Sequence, residues 1–351
     1  MKKSFIVLTI ALMALIKFSL GKPTNSQDNT IYWEGEVNLT KDFTLDKEDV
    51  LIIKPGTIIK MDKEVCLQIY GERYAVVEKE NPIIFMKSGE INWGKIEIRG
   101  NTTLKYCIIK DCYDGIECWE SINITNCKIS STLSAISCYG SSPIIMNNNI
   151  TNSTIGITCN PYSSPEIYNN TIYGNIIGIL IERTSSPVIR SNIIVKNRDY
   201  GIETRTDNFV LEDNYFLENG KGKILKKLTL RVEIKDLLGF PINCVSVAAY
   251  DKFGEKLWKL KTGEENLPEG IVEGTVIQYV IANNGSKIWH TPHTICVKDG
   301  EMEINKTVFV KNEVERLIIK LPVLTFTSKI LVAVLIIAII IIIIEIMRKR
   351  R

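Results

Sequence analysis

The chain has 351 residues, 45% of them hydrophobic, and a formal net charge of +3 at pH 7. This length exceeds one ordinary domain and allows a substantial buried core. The near balance of charge argues against a dedicated nucleic-acid partner, so we expect none.

The N-terminus has the three parts of a secretory signal peptide. Lys2 and Lys3 precede a short apolar run over residues 5–16, and small residues follow up to Gly21. This order is typical of a cleaved export signal, so we predict a signal peptide at 1–21 and a linker at 22–30. A retained membrane anchor is the alternative, although the run is short for crossing a bilayer.

Residues 104–219 form an internal repeat of about 22 residues, which lies within a predicted β-helix over 31–224. Each unit holds short alternating apolar runs broken by Asn, Gly or Ser-Ser-Pro, with no room for a helix. Parallel strands wound into a β-helix therefore fit better than a leucine-rich repeat. Two columns of asparagines keep register and are predicted to form ladders along the axis. Their members are Asn148, Asn170, Asn192 and Asn214 in one column and Asn175, Asn197 and Asn219 in the other.

The repeat unit, Ile-x-Asn-Asn-x-Ile followed by a Gly-Ile pair, resembles the right-handed parallel β-helix of pectate-lyase-like proteins. Residues 51–60 and 93–96 are similar to the first coils of archaeal membrane-anchored surface proteins. The resemblance covers roughly residues 31–224 and implies the fold, but many functions share this fold. The Asp-Asp, His-Gly and Asp-Pro-His signatures of its enzymes are absent, and this region contains no histidine.

Longer alternating strands follow the repeat and predict an antiparallel β-sandwich over 225–321. The segment from Asp236 to Gly254 resembles small immunoglobulin-like or carboxypeptidase-regulatory-like modules, which implies a stalk. The predicted fold class is therefore all-β: a right-handed parallel β-helix, a small antiparallel β-sandwich and a C-terminal transmembrane helix.

Residues 322–347 contain an unbroken apolar run, and basic residues fill the tail at 348–351. The run is long enough to span a bilayer, and a basic tail favours a cytoplasmic C-terminus. A buried core helix is the alternative. We expect a single-pass protein of the cell membrane whose ectodomain lies outside, with the membrane as one partner.

The nine cysteines mostly follow the repeat rather than a pairing pattern. Cys118, Cys138 and Cys159 share one inward column, and Cys107 and Cys127 occupy the asparagine column, where cysteine acts as a small interior hydrophobe. Disulfides between coils, or a Cu(I) or zinc site on the stacked column, are alternatives.

Outside the repeat, Cys244 and Cys296 are the candidate disulfide, as one pair within the sandwich. His290 and His293 lack a nearby partner set for a metal, so we expect no metal and no other cofactor. Asn-x-Ser/Thr acceptor patterns favour some surface glycosylation of an exported chain. They begin at Asn38, Asn101, Asn123, Asn149, Asn152, Asn169, Asn284 and Asn305.

One outward face combines carboxylates with aromatic residues. Glu97 and Glu117 are predicted to stack one coil apart, and two carboxylates about 5 Å apart suit a retaining glycosidase. Trp119 and Tyr139 fall in one outward column and form a candidate sugar-stacking strip. A solvated strand face, sugar binding without chemistry, and hydrolase or lyase chemistry all remain open.

These features favour a membrane-anchored surface protein with a structural, adhesive or glycan-binding role, whose external partner is a polysaccharide or envelope glycan. The alternative is a surface carbohydrate-active enzyme, a hydrolase or lyase, that uses Glu97 and Glu117.

Overall fold

The computed structural model describes residues 30–75, 79–100, 102–131, 133–264 and 267–349. The predicted signal peptide, nearly all of the linker and the last two residues of the basic tail lie outside these ranges. The prediction of an all-β fold with one C-terminal apolar helix is confirmed.

Most of the chain forms a parallel β-helix in which each coil contributes one strand to each of three sheets. The first sheet has two separately hydrogen-bonded parts. One comprises β1 (Thr30–Trp33), β4 (Val50–Ile53) and β7 (Glu72–Ala75), and the other comprises β10 (Thr103–Lys105), β13 (Asn123–Thr125), β16 (Ile144–Met146), β19 (Glu166–Tyr168), β22 (Val188–Arg190) and β25 (Val210–Glu212). The second sheet comprises β2 (Glu36–Leu39), β5 (Ile58–Met61), β8 (Ile83–Lys87), β11 (Cys107–Cys112), β14 (Lys128–Ser131), β17 (Asn149–Thr151), β20 (Thr171–Tyr173), β23 (Ile193–Val195) and β26 (Tyr215–Leu217). The third sheet begins with β3 (Phe43–Leu45), β6 (Leu67–Ile69), β9 (Ile96–Ile98), β12 (Ile116–Cys118), β15 (Ser134–Cys138), β18 (Ile155–Cys159), β21 (Ile177–Ile181) and β24 (Tyr200–Thr204).

The interior is a dry stack of branched side chains. In the three-residue strands of the first two sheets the middle residue points inward, so Ile145 and Ile150 lie over Ile167 and Ile172. In the third sheet two residues flanking an outward one point inward, as Ile96 and Ile98 do around Glu97. Burying one such isoleucine stabilises the fold by about 1.5–3 kcal/mol, which explains why the repeat keeps Ile at these positions.

Buried asparagines hold the corner between the first and second sheets. The Asn170 Oδ1 atom accepts from the backbone N–H and the side-chain amide of Asn148, at 2.9 and 3.0 Å. Asn192 receives the same pair of bonds from Asn170, and Asn214 receives it from Asn192. The residue before each ladder asparagine has a left-handed backbone, for example Asn169 with φ 54°. The second ladder, Asn175–Asn197–Asn219, is bonded in the same way.

A continuous strand joins the β-helix to the sandwich. β27 (Gly222–Lys235) pairs in parallel with β24 and then antiparallel with β30 (Ile271–Ile281), which carries β31 (Lys287–Trp289), while β34 (Val314–Lys320) pairs on its other side. The predicted boundary between residues 224 and 225 falls inside this strand. The facing sheet has the order β29 (Lys256–Lys261), β28 (Ser246–Tyr250), β32 (His293–Asp299) and β33 (Met302–Val308). Val232 and Val247 belong to the core between the two sheets.

The chain ends in helix α1 (Phe326–Lys349). Within Phe326–Arg348 an 18-residue window has a mean hydropathy of 3.5, and none of that window is buried inside the protein. It is the helix among the described residues that is long and apolar enough to cross a bilayer, and it begins four residues after the predicted start at 322.

The structure differs from the expectation of a disulfide in the sandwich, because Cys244 and Cys296 are both free. Cys296 pairs across the sheet with Ala248, which lies four residues along the chain from Cys244. At about 3.3 Å per residue this separation exceeds the reach of a disulfide. The Cys296 thiol instead donates to Glu303 at 3.3 Å.

Candidate functional site

The site is built on the outward side of the third sheet, at strands β9, β12 and β15. Glu97 and Glu117 lie in register on adjacent coils, with Gln68 and Ser137 before and after them in the same row. Although they point outward, the two glutamates are only 7% and 8% exposed. Their burial means that their charges must be matched locally.

Two cations next to the glutamates provide that match. The Lys95 Nζ atom lies 2.7 Å from Glu117 Oε2 and 3.4 Å from Glu97 Oε2, so it bridges both carboxylates. The Arg99 guanidinium donates through Nε to the other oxygen of Glu97. Lys95 and Arg99 were not singled out from the sequence, although the two-residue alternation of a strand places both on the face of Glu97.

The electrostatics separate the acidic groups of this face. Burial alone would raise the pKa of the Glu97 carboxyl, but the bond from Arg99 and the charge of Lys95 outweigh it and lower that pKa. Burial, reinforced by the charge of Glu117, raises the pKa of Asp114. Burial and the same charge also raise the pKa of Tyr139. Glu97 is therefore held ionised, whereas Asp114 is shifted towards its protonated form.

The aromatic residues form a stack that runs along the helix axis. The rings of Trp119 and Tyr139 are 4.5 Å apart and inclined by only 9°. The Arg99 guanidinium lies 4.0 Å from the centre of the Trp119 ring, and Arg99 belongs to the coil on the other side. Arg99 and Tyr139 come from the coils on either side of Trp119, and 37% of Trp119 remains exposed.

The surroundings of the cysteines and histidines fit a structural role rather than metal binding. Cys118, Cys138 and Cys159 are buried in one inward row. Burial raises the pKa of the Cys159 thiol, and so leaves little of the thiolate that a soft metal needs. His290 Nδ1 lies 2.8 Å from Asp251 Oδ2. Within the described ranges, no group of three or more His, Cys, Asp or Glu side chains is placed to hold a metal.

A second polar surface lies on the other side of the β-helix. A cavity of about 320 Å³ opens at the corner between the first and second sheets, and its lining includes Tyr106, Asn126, Lys128 and Asn147. It is separate from the face that carries Glu97, so it offers a location for control substitutions.

One comparison with known proteins matches the repeat. A family model described as "Right handed beta helix region" matches residues 94–227, which include both the candidate site and the asparagine ladders. This match supports a right-handed β-helix repeat over these residues, as the parallel strand order of the structure does. No curated protein sequence matches it.

Two solved structures show weak likeness. The TIE protein of Bacillus anthracis is 14% identical with a TM-score of 0.20, and the match covers 32% of this chain and 19% of that one. The A-module of a mannuronan C-5 epimerase from Azotobacter vinelandii is 12% identical with a TM-score of 0.25, and the match covers 56% of this chain and 87% of that one. The chain therefore spans about a fifth of the Bacillus protein. Likeness at this level carries no information about function.

Proposed function

We propose that this chain is an exported surface protein, held in the cell membrane by α1, whose β-helix binds a neutral glycan on the outward face of the third sheet. The basic tail would lie in the cytoplasm and the sandwich would act as a stalk, an arrangement like that of archaeal anchored surface proteins. The hydropathy of α1 and the absence of any cover over it within the described residues support the anchor.

The observation that carries the binding proposal is the composition of this face. The stack of Arg99, Trp119 and Tyr139 adjoins the buried ion pairs of Glu97 and Glu117, and Trp119 Nε1 lies 3.5 Å from Glu117 Oε2. Ring edges next to fixed polar groups can contact both the C–H and O–H groups of a sugar. Farther along the third sheet the row of Glu117 continues with Thr158 and Leu180, and its next carboxylate, Glu203, is paired with Lys227.

The charge balance indicates a neutral ligand. Lys95 and Arg99 each contact a carboxylate, so neither cation is left to attract a polyanion. A uronate polymer would also meet the acidic Asp114 next to Glu117. We therefore expect binding to uncharged polysaccharides to exceed binding to polyuronates of similar length.

The test is glycan binding by the full chain in nanodiscs, using a panel of neutral and acidic polysaccharides. Trp119→Ala removes the centre of the stack and is expected to weaken binding by about tenfold or more, a loss of about 1.4 kcal/mol. Lys128→Ala, on the separate cavity, is the matched control and should leave affinity unchanged. Equal loss in both variants, or binding of acidic polymers alone, would contradict the proposal.

Hydrolysis is the second candidate, and the observation that favours it is the raised pKa of Asp114 next to Glu117. A glycosidase needs one protonated and one ionised carboxyl group. Glu97 does not supply the acid, since its pKa is lowered by Arg99 and Lys95 against the effect of burial. New reducing ends that disappear in Glu117→Gln, with affinity retained, would establish hydrolysis, whereas binding without product leaves the chain a binding protein.

Surface glycosylation belongs to the same proposal. All seven acceptor asparagines within the described ranges are exposed, and none is a ladder residue. They are Asn38, Asn123, Asn149, Asn152, Asn169, Asn284 and Asn305. The four between 123 and 169 lie on the strands of the first two sheets or in turns beside them, which leaves the outward face of the third sheet open for a ligand.

A further inference from the structure

Two exposed leucines lie at the end of the sandwich where helix α1 begins. The parallel strands β27 and β34 end together at the pair Lys235 and Lys320. Beyond this edge β27 runs into a tight turn that contains Leu237 and Leu238, and β34 runs on towards α1. The turn and the helix therefore leave the sandwich on the same side.

Asp236 ties this turn to the first turn of α1. Its buried carboxylate accepts from the backbone N–H groups of Leu238 and Phe240, both at 2.9 Å. Its other oxygen accepts from the N–H and hydroxyl groups of Thr325, at 3.0 and 2.9 Å, and from the hydroxyl of Ser328. Because Thr325 caps the helix and Ser328 lies in its first turn, the leucine turn and the helix start are held as one unit.

The two leucines are fixed in position and yet remain uncovered. Their exposed fractions are 54% and 48%, and the Leu237 N–H donates to the carbonyl of Val323, just before the helix, at 3.2 Å. The neighbouring loop at this edge carries the exposed acidic residues Glu264 and Glu269. The nearest exposed apolar side chain on β34 is Ile318, which is 47% exposed and lies two residues before Lys320.

We propose that Leu237 and Leu238 insert into the outer leaflet of the bilayer that α1 crosses, and so form a second membrane contact that orients the ectodomain. This inference rests on the proposed anchoring by α1. The lipid is identified as the occupant by continuity, since the turn is bonded to the start of a helix that holds an 18-residue window with a mean hydropathy of 3.5. Apolar side chains at the depth of the headgroups and upper acyl chains leave water favourably.

The test uses the full chain in phosphatidylcholine vesicles, with or without a nitroxide on the upper acyl chain. Leu238→Trp adds an indole at the turn. The fluorescence of this indole is the emission of the variant minus that of the unsubstituted protein. It should be lower by about twofold or more in the nitroxide vesicles than in the vesicles without nitroxide. Phe253→Trp is the matched control. Phe253 is 61% exposed and lies on the turn that follows β28, at the end of this strand that is farther from Leu237 and Leu238. The added emission in this control should not change.

Leu237→Trp is a second probe of the same turn, and alkaline extraction reports anchoring separately. If the protein resists extraction and neither turn variant is quenched, insertion of the leucines is overturned while anchoring by α1 stands. If the protein is extracted from the vesicles, anchoring fails and the inference fails with it.

Discussion

The late coils, residues 144–219, and the early coils, residues 30–131, share the same three sheets but are held together differently. In the late coils the corner between the first and second sheets is closed by asparagines, each bonded to the next asparagine 22 residues along the chain. In the early coils the length of the coil varies, since Gln68 pairs with Glu97 and Glu97 with Glu117. The regular region concentrates hydrogen bonds in its interior, whereas the irregular region carries the buried charges and stacked rings of the candidate site.

The largest effect is expected when the asparagine ladder of the late coils is interrupted. Asn170→Ala removes the acceptor of Asn148 and the donors to the carbonyls of Ile145 and Tyr168. The Asn148 amide groups and the Ile145 carbonyl then lose these buried bonds, whereas the Tyr168 carbonyl keeps the bond from the Asn147 N–H, so the free energy of unfolding should fall by about 3–5 kcal/mol. Urea unfolding followed by circular dichroism measures the loss.

Asn149→Ala is the control for the ladder, because Asn149 is exposed and its neighbour Ile150 provides the core contact. We expect its effect to stay within about 0.5 kcal/mol. A similar loss in both variants would mean that the corner depends on backbone packing rather than on the amide ladder.

Two of the early coils have a cysteine at the same corner, Cys107 and Cys127. Cys127 Sγ donates to the Leu104 carbonyl at 3.6 Å, where Asn148 in the next coil donates to Ile124 at 2.8 Å. Cys127→Asn would replace a weak S–H bond with an amide bond and extend the ladder by one coil. We expect stabilisation by about 0.5–1 kcal/mol in the same unfolding experiment.

Cys118→Asn serves as the contrast, because Cys118 lies in the apolar inward row between Ile98 and Cys138. An amide buried there should destabilise the protein by about 2–4 kcal/mol. If Cys127→Asn and Cys118→Asn destabilise the protein equally, the corner of the early coils does not accept the asparagine ladder.

The sequence was sufficient for the repeated part of the fold because a ladder needs the same residue at the same place in every coil. It was less informative where the pattern changes. The change in the sequence pattern near residue 224 suggested a domain boundary, yet β27 runs through it. One strand can belong to two sheets while its sequence pattern changes. Cys244 and Cys296 looked like a pair because strand register, which separates them, is not visible in composition.

The candidate site was partly predictable for the same reason. Alternation within a strand placed Glu97 and Glu117 outward, and the repeat placed Trp119 beside Tyr139. It did not reveal that the two rings lie face to face, nor that Lys95 and Arg99 turn toward the glutamates, because side-chain rotamers depend on neighbours in adjacent coils.

The smallest predicted effect is a difference in how the stability of the Asp114 and Glu97 variants depends on pH. Burial and the charge of Glu117 raise the pKa of Asp114, so the ionised form costs stability above that pKa and the cost vanishes below the ordinary value of about 3.9. Asp114→Asn should therefore stabilise the protein at pH 7, by less than about 1 kcal/mol after solvent screening, and give no gain near pH 3.

Glu97→Gln should change the stability at pH 7 in the opposite direction. Against the effect of burial, Arg99 and Lys95 lower the pKa of Glu97, so the contribution of this carboxylate is present at pH 7 and is lost as the pH falls below about 4. Thermal unfolding of both variants between pH 3 and pH 7 measures the two slopes, and slopes of the same sign would contradict the electrostatic separation of these groups.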